Sequence, residues 1–364
     1  MKILICGSSG FIGTHMVRLF TDGGYEVIGL DLERPASYDG LTEFYQGDIL
    51  VKDDVRKALD GVDCVVNLAA KHHDFGIDRD EYFETNETGS QRLLECLAEC
   101  GIKKYIFYSS VAVYGESPYE SDETTEPKPS NPYGESKLAA EKVTRNWARE
   151  EPDRQVVIIR PSVVYGEGNV ANMFSLIKMV DKGRYLQFGS GEAVKCICYV
   201  RNIIEATRYC MDRMEPGVAT FNYVDKDDMP AKQMVGIISE ALDKKTLPIS
   251  FPLWLGVSVA KVFDLAAKVT GKNFRISSAR VKKLATPTRF AAQKIRDYGF
   301  VPKYSIEEGL KNMVLWYIEE VKRKLPARQI ERVPRKTAIV LSAQKNDTYS
   351  GKKSDTQTYE TTAK

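Results

Sequence analysis

The chain opens with a short apolar strand that runs directly into three glycines. In KILICGSSGFIGTHMVRLFTDGGYEVIGLD, Gly7, Gly10 and Gly13 are spaced G-x-x-G-x-x-G, an amphipathic helical pattern follows, and a second apolar strand ends at Asp31. Gly7 allows a tight turn, Gly10 lets the backbone approach a pyrophosphate, and Gly13 lets helix and strand pack closely, with the phosphates over the helix N-terminus. Phe11 and Ile12 complete the loop-to-helix segment. Asp31 falls where a carboxylate accepts hydrogen bonds from an adenosine ribose, and its charge repels a 2'-phosphate, which favours NAD over NADP. A glycine-rich surface turn would lack the strand before it, the helix after it and the acid at that distance.

The same rhythm continues. EVIGLD, FYQGDI, a short helix from Val51 to Leu59, CVVNLAA, a helix through RLLECLAEC, KYIFYSS, a helix from Tyr133 to about Glu150 and QVVIIRP alternate strand with helix. This pattern predicts an α/β fold, a Rossmann doubly wound parallel sheet, over residues 1–165. Beyond Gly166 the rhythm loosens into NMFSLIKMV, CICYV, the turn-rich FNYVDKDDMP and the helical QMVGIISEAL. Residues 166–322 read as a smaller C-terminal α/β substrate domain, free to interleave with the Rossmann sheet. Residues 323–364 are polar and low in aromatics, and are expected to be a disordered tail.

Composition narrows the class of partners. With 364 residues, 43% apolar and a net charge of +2, the chain can bury a large core and has no general attraction for nucleic acid. MKILIC is too short for a signal peptide and serves better as the first strand, and no apolar run approaches the roughly 18 residues of a membrane span. Seven cysteines without a C-x-x-C pair, and only three histidines, predict reduced packing residues, a cytosolic setting and no metal site.

Tyr133 and Lys137 sit four residues apart in NPYGESKLAAEKV, and Ser110 closes the strand KYIFYSS. Helical spacing of four places phenol and ammonium on one face. The cation can hold the phenol near ionisation while the serine hydroxyl bridges it to a substrate hydroxyl, which makes the three a candidate catalytic device.

GSSGFIG, Asp48 in QGDI, NLAA, Asn86 before GSQRLL, SSVAVYG, YGESK and RPSVVYG occur in the order found in the extended short-chain dehydrogenase/reductases. Over residues 1 to about 320 the chain resembles their NAD-dependent sugar epimerase/dehydratase group. The resemblance implies that Asp48 and Ile49 lie at the adenine. It places Leu68, Ala69, Ala70, Lys71, Asn86 and Pro161 along the cofactor with Tyr133 and Lys137, and Ser110, Tyr133 and Lys137 in the catalytic positions. Dehydratases of the group carry acids directly after the catalytic Ser or Thr. Here those positions are Val111 and Ala112, which leaves hydride chemistry without elimination, either 4-epimerisation or reduction of a 4-keto sugar.

Longer runs, FYSSVAVYG, IIRPSVVYGEGN, FNYVDKDD and AKVTGKNFRISSARVKK, are similar to bacterial epimerases that interconvert N-acetylglucosamine and N-acetylgalactosamine on undecaprenyl diphosphate for surface polysaccharide such as O-antigen. Where nucleotide-sugar epimerases offer an Asn to the substrate, this chain has Val163. Where they commonly set an Arg against the diphosphate it has Lys195, which neutralises a phosphate without a bidentate fork. The resemblance makes Ser110, Val111, Ala112, Tyr133 and Lys195 the substrate contacts. A UDP-sugar 4-epimerase and a 4-ketoreductase remain as alternatives, and a homodimer is left open.

Charge is concentrated late in the chain. Between Lys261 and Arg296 there are ten cations against one acid, Asp264, so the rest of the chain is net acidic. FPLWLGVSVAKVF, with Trp254 in it, precedes this stretch and has a length suited to an interfacial or a buried helix. On the residues alone the two fit equally peripheral contact with an anionic membrane or a core helix followed by a solvated basic face. The resemblance to epimerases of lipid-linked sugars implies the membrane contact, at the cytoplasmic face.

Overall fold

The computed structural model describes residues 1–72, 77–117, 119–226, 228–245, 250–270 and 286–322, with backbone alone for 262–270. Seven strands form one sheet, all parallel: β1 (Lys2–Cys6), β2 (Glu26–Asp31), β3 (Glu43–Gln46), β4 (Cys64–Asn67), β5 (Lys104–Tyr108), β6 (Gln155–Pro161) and β10 (Gly217–Tyr223). They lie in the order β10-β6-β5-β4-β1-β2-β3. The central strands are nearly continuous runs of apolar residues because helices cover both faces, and parallel strands joined by helical crossovers require that cover.

Side chains alternate between the two faces. On β1, Ile3 and Ile5 join a core with Met16, Val17 and Phe20 of α1 (Phe11–Asp22) and Ile203 and Ile204 of α7 (Val200–Met211). Leu4 and Cys6 join a second core with Val55 of α2 (Lys52–Ala58), Leu93, Leu94 and Leu97 of α4 (Gly89–Glu99), and Ala140, Trp147 and Ala148 of α5 (Pro132–Glu150). A short helix α3 (Arg79–Phe83) runs through a π-helical turn, Glu84–Thr88, into α4. Six of the seven cysteines are buried and all are unpaired.

Later elements extend the first core. β7 (Val163–Tyr165) pairs with β9 (Ile197–Tyr199), and β8 (Gln187–Phe188) pairs with β11 (Ser250–Phe251). α6 (Asn172–Asp181), α8 (Ala231–Ala241) and the helix Ile306–Trp316 pack beside them, the last started by a capping box between Ser305 and Glu308. FNY, placed by sequence in a turn-rich segment, closes β10, which pairs with β6 along its whole length. The sheet therefore takes its edge strand from beyond residue 165. The first core runs from Ile3 to Val321, so a division at that residue does not separate two cores. FPLWLGVSVAKVF begins α9 (Leu253–Thr270). Residues 271–285, with five of the ten cations of the late basic stretch, and the expected tail (323–364) lie outside the described residues.

Candidate active site

The glycine loop is folded as its spacing requires. Gly7 has φ +83, a conformation that L side chains rarely adopt, and a Cβ there would stand 2.9 Å from the Ala69 amide nitrogen. A Cβ at Gly13 would overlap the Gly7 carbonyl, so α1 can close onto β1 only with glycine at that position. Gly10 is different: a Cβ there meets nothing nearer than the Gly7 oxygen at 3.3 Å. Gly10 is also the N-cap of α1, makes no side-chain cap, and no acid sits in the first turn. Phe11 and Ile12 are the first helical residues, and their amides join the unsatisfied donors at a helix start. An open approach, free donors and the positive end of the helix dipole fit a dinucleotide pyrophosphate.

Asp31, at the end of β2, ties this loop down. Its carboxylate accepts from the amides of Ser9 at 2.9 Å and Glu33 at 3.0 Å. Burial pushes its carboxyl above the ordinary range, and the two hydrogen bonds oppose that. After β3, the Asp48 carboxylate accepts from the Leu50 amide at 2.9 Å, and Ile49 is buried against Gly89 at the start of α4.

The strand ends of β1 and β4 come together beside the glycines. Leu68 donates its amide to the Cys6 carbonyl, and the Ala69 amide donates to the buried Asn67 carboxamide. Ala70 leads to Lys71, whose amide donates to Asn86 Oδ1 at 2.9 Å. Asn86 returns Nδ2 to the Lys71 carbonyl at 3.1 Å and to Ser136 Oγ at 2.9 Å. Asn86 is fully buried in the π-helical turn, so its amide joins the loop after β4 to α5. The Lys71 ammonium sits 3.6 Å from Glu81 in an exposed pair.

Ser110, just past β5, caps the 3-10 turn Val111–Tyr114 by accepting from the Ala112 amide at 3.1 Å. Val111 is buried, and the two residues that follow the serine, Val111 and Ala112, carry no acid. α5 starts where it does because Asn131 caps the Gly134 amide at 2.9 Å and Pro132 takes the first turn. A methyl group on Gly134 would overlap the Ala112 carbonyl oxygen, so the helix start is pressed against the Ser110 turn. Tyr133 follows Pro132, its ring 6.2 Å from that of Tyr82. One turn on, Lys137 is buried and donates Nζ to the Tyr108 carbonyl at 2.8 Å, 5.0 Å above the Phe107 ring. Burial brings its ammonium down from 10.5 to about 7, and the Glu141 carboxylate opposes that shift. Pro161 ends β6, two residues past the partner of Tyr108. A phenol and a buried amine one turn apart on α5, with a serine on the turn against which that helix start is pressed, are the groups that taking a proton from an alcohol and returning it would require.

Sequence reasoning missed what lies behind this group. Glu141, one turn beyond Lys137 and fully buried, accepts from Ser109 Oγ at 2.6 Å and is gripped by Arg160 Nε at 2.8 Å and Nη2 at 2.6 Å. Arg160 also donates to the Tyr114 hydroxyl at 2.7 Å, which donates to Asn222 of β10 at 2.8 Å. The signals were present in sequence: an acid eight residues after Tyr133 on the same helical stripe, and an arginine inside the apolar strand QVVIIRP. Lys195 belongs to the segment leading into β9, where Nζ donates to the Thr286 carbonyl. Val163 is 52% exposed at the start of β7.

A profile of the NAD dependent epimerase/dehydratase family matches residues 3–223, a span that contains every element of this site up to β10. The chain belongs to that family. It is 35% identical over 323 residues to an N-acetyl-alpha-D-glucosaminyl-diphospho-ditrans,octacis-undecaprenol 4-epimerase of Escherichia coli O157:H7, covering 88% of this chain and 97% of that protein. It is 28% identical over 331 residues to a UDP-glucose 4-epimerase of Vibrio cholerae, covering 87% and 96%. The fold is shared with a UDP-glucose 4-epimerase of Thermotoga maritima solved with UDP-glucose, at TM-score 0.70 and 24% identity over 88% of this chain and 99% of that one. It is shared too with a UDP-glucuronic acid 4-epimerase of Bacillus cereus solved with NAD, at TM-score 0.69 and 23% identity over 88% and 99%. The family's cofactor is NAD, and the glycine loop and Asp31 fit it.

Proposed function

We propose that this protein is a 4-epimerase that interconverts N-acetylglucosamine and N-acetylgalactosamine carried on undecaprenyl diphosphate, serving surface polysaccharide such as O-antigen. The observation that carries this reading is the 35% identity along nearly the whole of the Escherichia coli enzyme with that activity in its name. The chemistry at Ser110 agrees with it. Val111 and Ala112 offer no acid to drive elimination, so the site is suited to proton and hydride transfer at one carbon.

In this reading Tyr133, as phenolate, takes the proton from the sugar O4 directly or through Ser110. Lys137 holds the phenol near ionisation and would bind the nicotinamide ribose. NAD, when bound, supplies reversible hydride acceptance. Tyr133 gives the proton back to O4 once the sugar has turned over its diphosphate bond, which inverts C4. Gly7, Gly10, Phe11, Ile12 and Gly13 would hold the pyrophosphate, Asp31 the ribose, and Asp48 and Ile49 the adenine. The segments from Leu68 to Lys71, with Asn86 and Pro161, would line the nicotinamide half. Lys195 would face the substrate diphosphate from the 166–322 region.

The substrate class also implies a place of work. Trp254, at the start of α9, is 68% exposed, and Leu186 beside β8 is 49% exposed. Together with the cationic stretch from Lys261 to Arg296 they support peripheral docking on the cytoplasmic face of an anionic membrane. No described helix is long and apolar enough to cross one.

Incubation of the purified protein with polyprenyl-diphosphate-linked and UDP-linked N-acetylglucosamine tests the substrate. Conversion of the lipid-linked sugar, with little of the UDP sugar converted, is the expected result. Efficient turnover of UDP-N-acetylglucosamine alone would install a soluble nucleotide-sugar epimerase instead, the reading that the Vibrio cholerae relative supports. Steady consumption of reduced nucleotide with a 4-keto sugar would make it a reductase.

A further inference from the structure

The Lys137 ammonium is almost wholly removed from water, yet the hydrogen bond that holds it ends on a neutral carbonyl, that of Tyr108. A buried cation without a countercharge sheds its proton. The nearest buried carboxylate on the same helical stripe is that of Glu141. It is fixed from two directions: Arg160 of β6 binds both of its oxygens, and Ser109, the residue before Ser110, donates to Oε1 at 2.6 Å. Arg145, half-exposed on the outer side, adds a weaker contact at 3.3 Å.

We propose that Glu141 is a positioning residue of the proton-transfer site: its clamped carboxylate keeps Lys137 charged and, through Ser109, fixes the strand end that presents Ser110. Arg160 supplies the grip that holds the carboxylate in place, and Arg145 trims its charge. The proposal rests on Tyr133 and Lys137 being the proton-transfer pair, not on which sugar is turned over. Among the described residues, the neighbouring ionisable groups have the following partners. Tyr114 is bonded to Arg160, and Tyr108 of β5 turns its hydroxyl to Thr207 of α7. On the Tyr133 side, Tyr82 of α3 faces the ring, while Arg79 and Glu81 are paired with Glu135 and Lys71.

The test needs no substrate, so it fails or succeeds apart from the epimerase reading. In NAD-loaded protein carrying lysine labelled with carbon-13 at Cε, the Lys137 resonance is assigned by its loss in Lys137→Met and followed with pH. Glu141→Gln should lower the midpoint by about one pH unit, the low end for a neighbouring charge, and Glu141→Asp should restore most of it. A purely structural role predicts the opposite, because loosening would admit water and raise the midpoint. Arg145→Met, at a half-exposed position, should raise the midpoint by a few tenths, and Arg145→Lys should leave it alone. An unmoved or raised midpoint in Glu141→Gln overturns the proposal. If that variant does not fold, an unmoved midpoint in Arg145→Met overturns it, as does an equal shift in Arg145→Lys.

Discussion

A methyl group placed on Gly134 would stand 3.0 Å from the carbonyl carbon of Ala112 and overlap its oxygen. This contact presses the start of α5, which carries Tyr133, against the turn that Ser110 caps. Gly134→Ala should therefore move the phenol relative to the serine while leaving the glycine loop untouched. A misplacement near 1 Å costs on the order of a hundredfold in rate, so turnover should fall at least about tenfold with NAD affinity unchanged. Parallel assays of turnover and of NAD binding check this, and an active Gly134→Ala enzyme would remove the contact from the account.

Tyr133→Phe removes the proposed base and keeps the ring that lies against Tyr82. Turnover should drop by about a hundredfold or more, the lower range for general acid-base catalysis, with NAD retained. Ser110→Ala should be milder, because water can take the hydroxyl's place. Near-normal rates in Tyr133→Phe would refute the assignment.

Lys137 gives a prediction about pH. Burial lowers it from 10.5 to about 7 in the folded chain. Between those values the unfolded chain binds the proton and the folded chain does not, so stability rises with pH across that window and the full cost of a buried ammonium applies below it. Lys137→Met removes the cost but leaves the Tyr108 carbonyl unpaired. The net gain at pH 6 should be about 2 kcal/mol or more, shrinking towards pH 10, with turnover lost. Denaturant titrations at pH 6 and pH 9 decide it: a variant no more stable than wild type at pH 6 would show that the burial is not costly.

Asp31 should make the protein bind NAD at least about tenfold more tightly than NADP, a difference readable by calorimetry. Its carboxylate also holds the Ser9 amide. Asp31→Asn keeps an acceptor for that amide and removes the charge, so it should narrow the preference without unfolding the loop. Equal affinities in the wild type would sink the assignment.

How much of this was readable beforehand depended on range. Gly13 is demanded by Gly7 and Ser8, a few residues away, and Tyr133 and Lys137 stand one helical turn apart, so local spacing is enough to single them out. Asn86 is expected along the cofactor; the partners that hold its amide there, the Lys71 backbone and Ser136, lie 15 and 50 residues off, and no local pattern reveals them. Glu141 and Arg160 each stand out in their own local pattern, but their contact does not, because helix α5 and strand β6 meet only in the folded sheet. β10 went unread as a strand of the sheet because its pairing with β6 spans some sixty residues, although FNY lies at its end. Nothing local distinguishes an edge strand recruited after such an insertion from a turn-rich loop.

The last prediction concerns place. If Trp254 and the cations from Lys261 to Arg296 meet a bilayer, the protein should sediment with vesicles containing anionic lipid, hold weakly to neutral ones, and release as salt rises, since surface attraction is screened beyond roughly 10 Å at 0.1 M. Each basic residue near such a surface contributes on the order of 1 kcal/mol, so Lys282→Glu with Lys283→Glu should weaken binding by tenfold or more. Trp254→Ser should weaken it also on neutral vesicles, because it removes apolar contact and no charge. Both changes should slow turnover of lipid-linked sugar and leave NAD affinity alone. A wild-type protein that stays in the supernatant with anionic vesicles at low salt would show that this stretch of the chain serves another purpose, and that a lipid-linked substrate must reach Tyr133 without the protein leaning on the membrane.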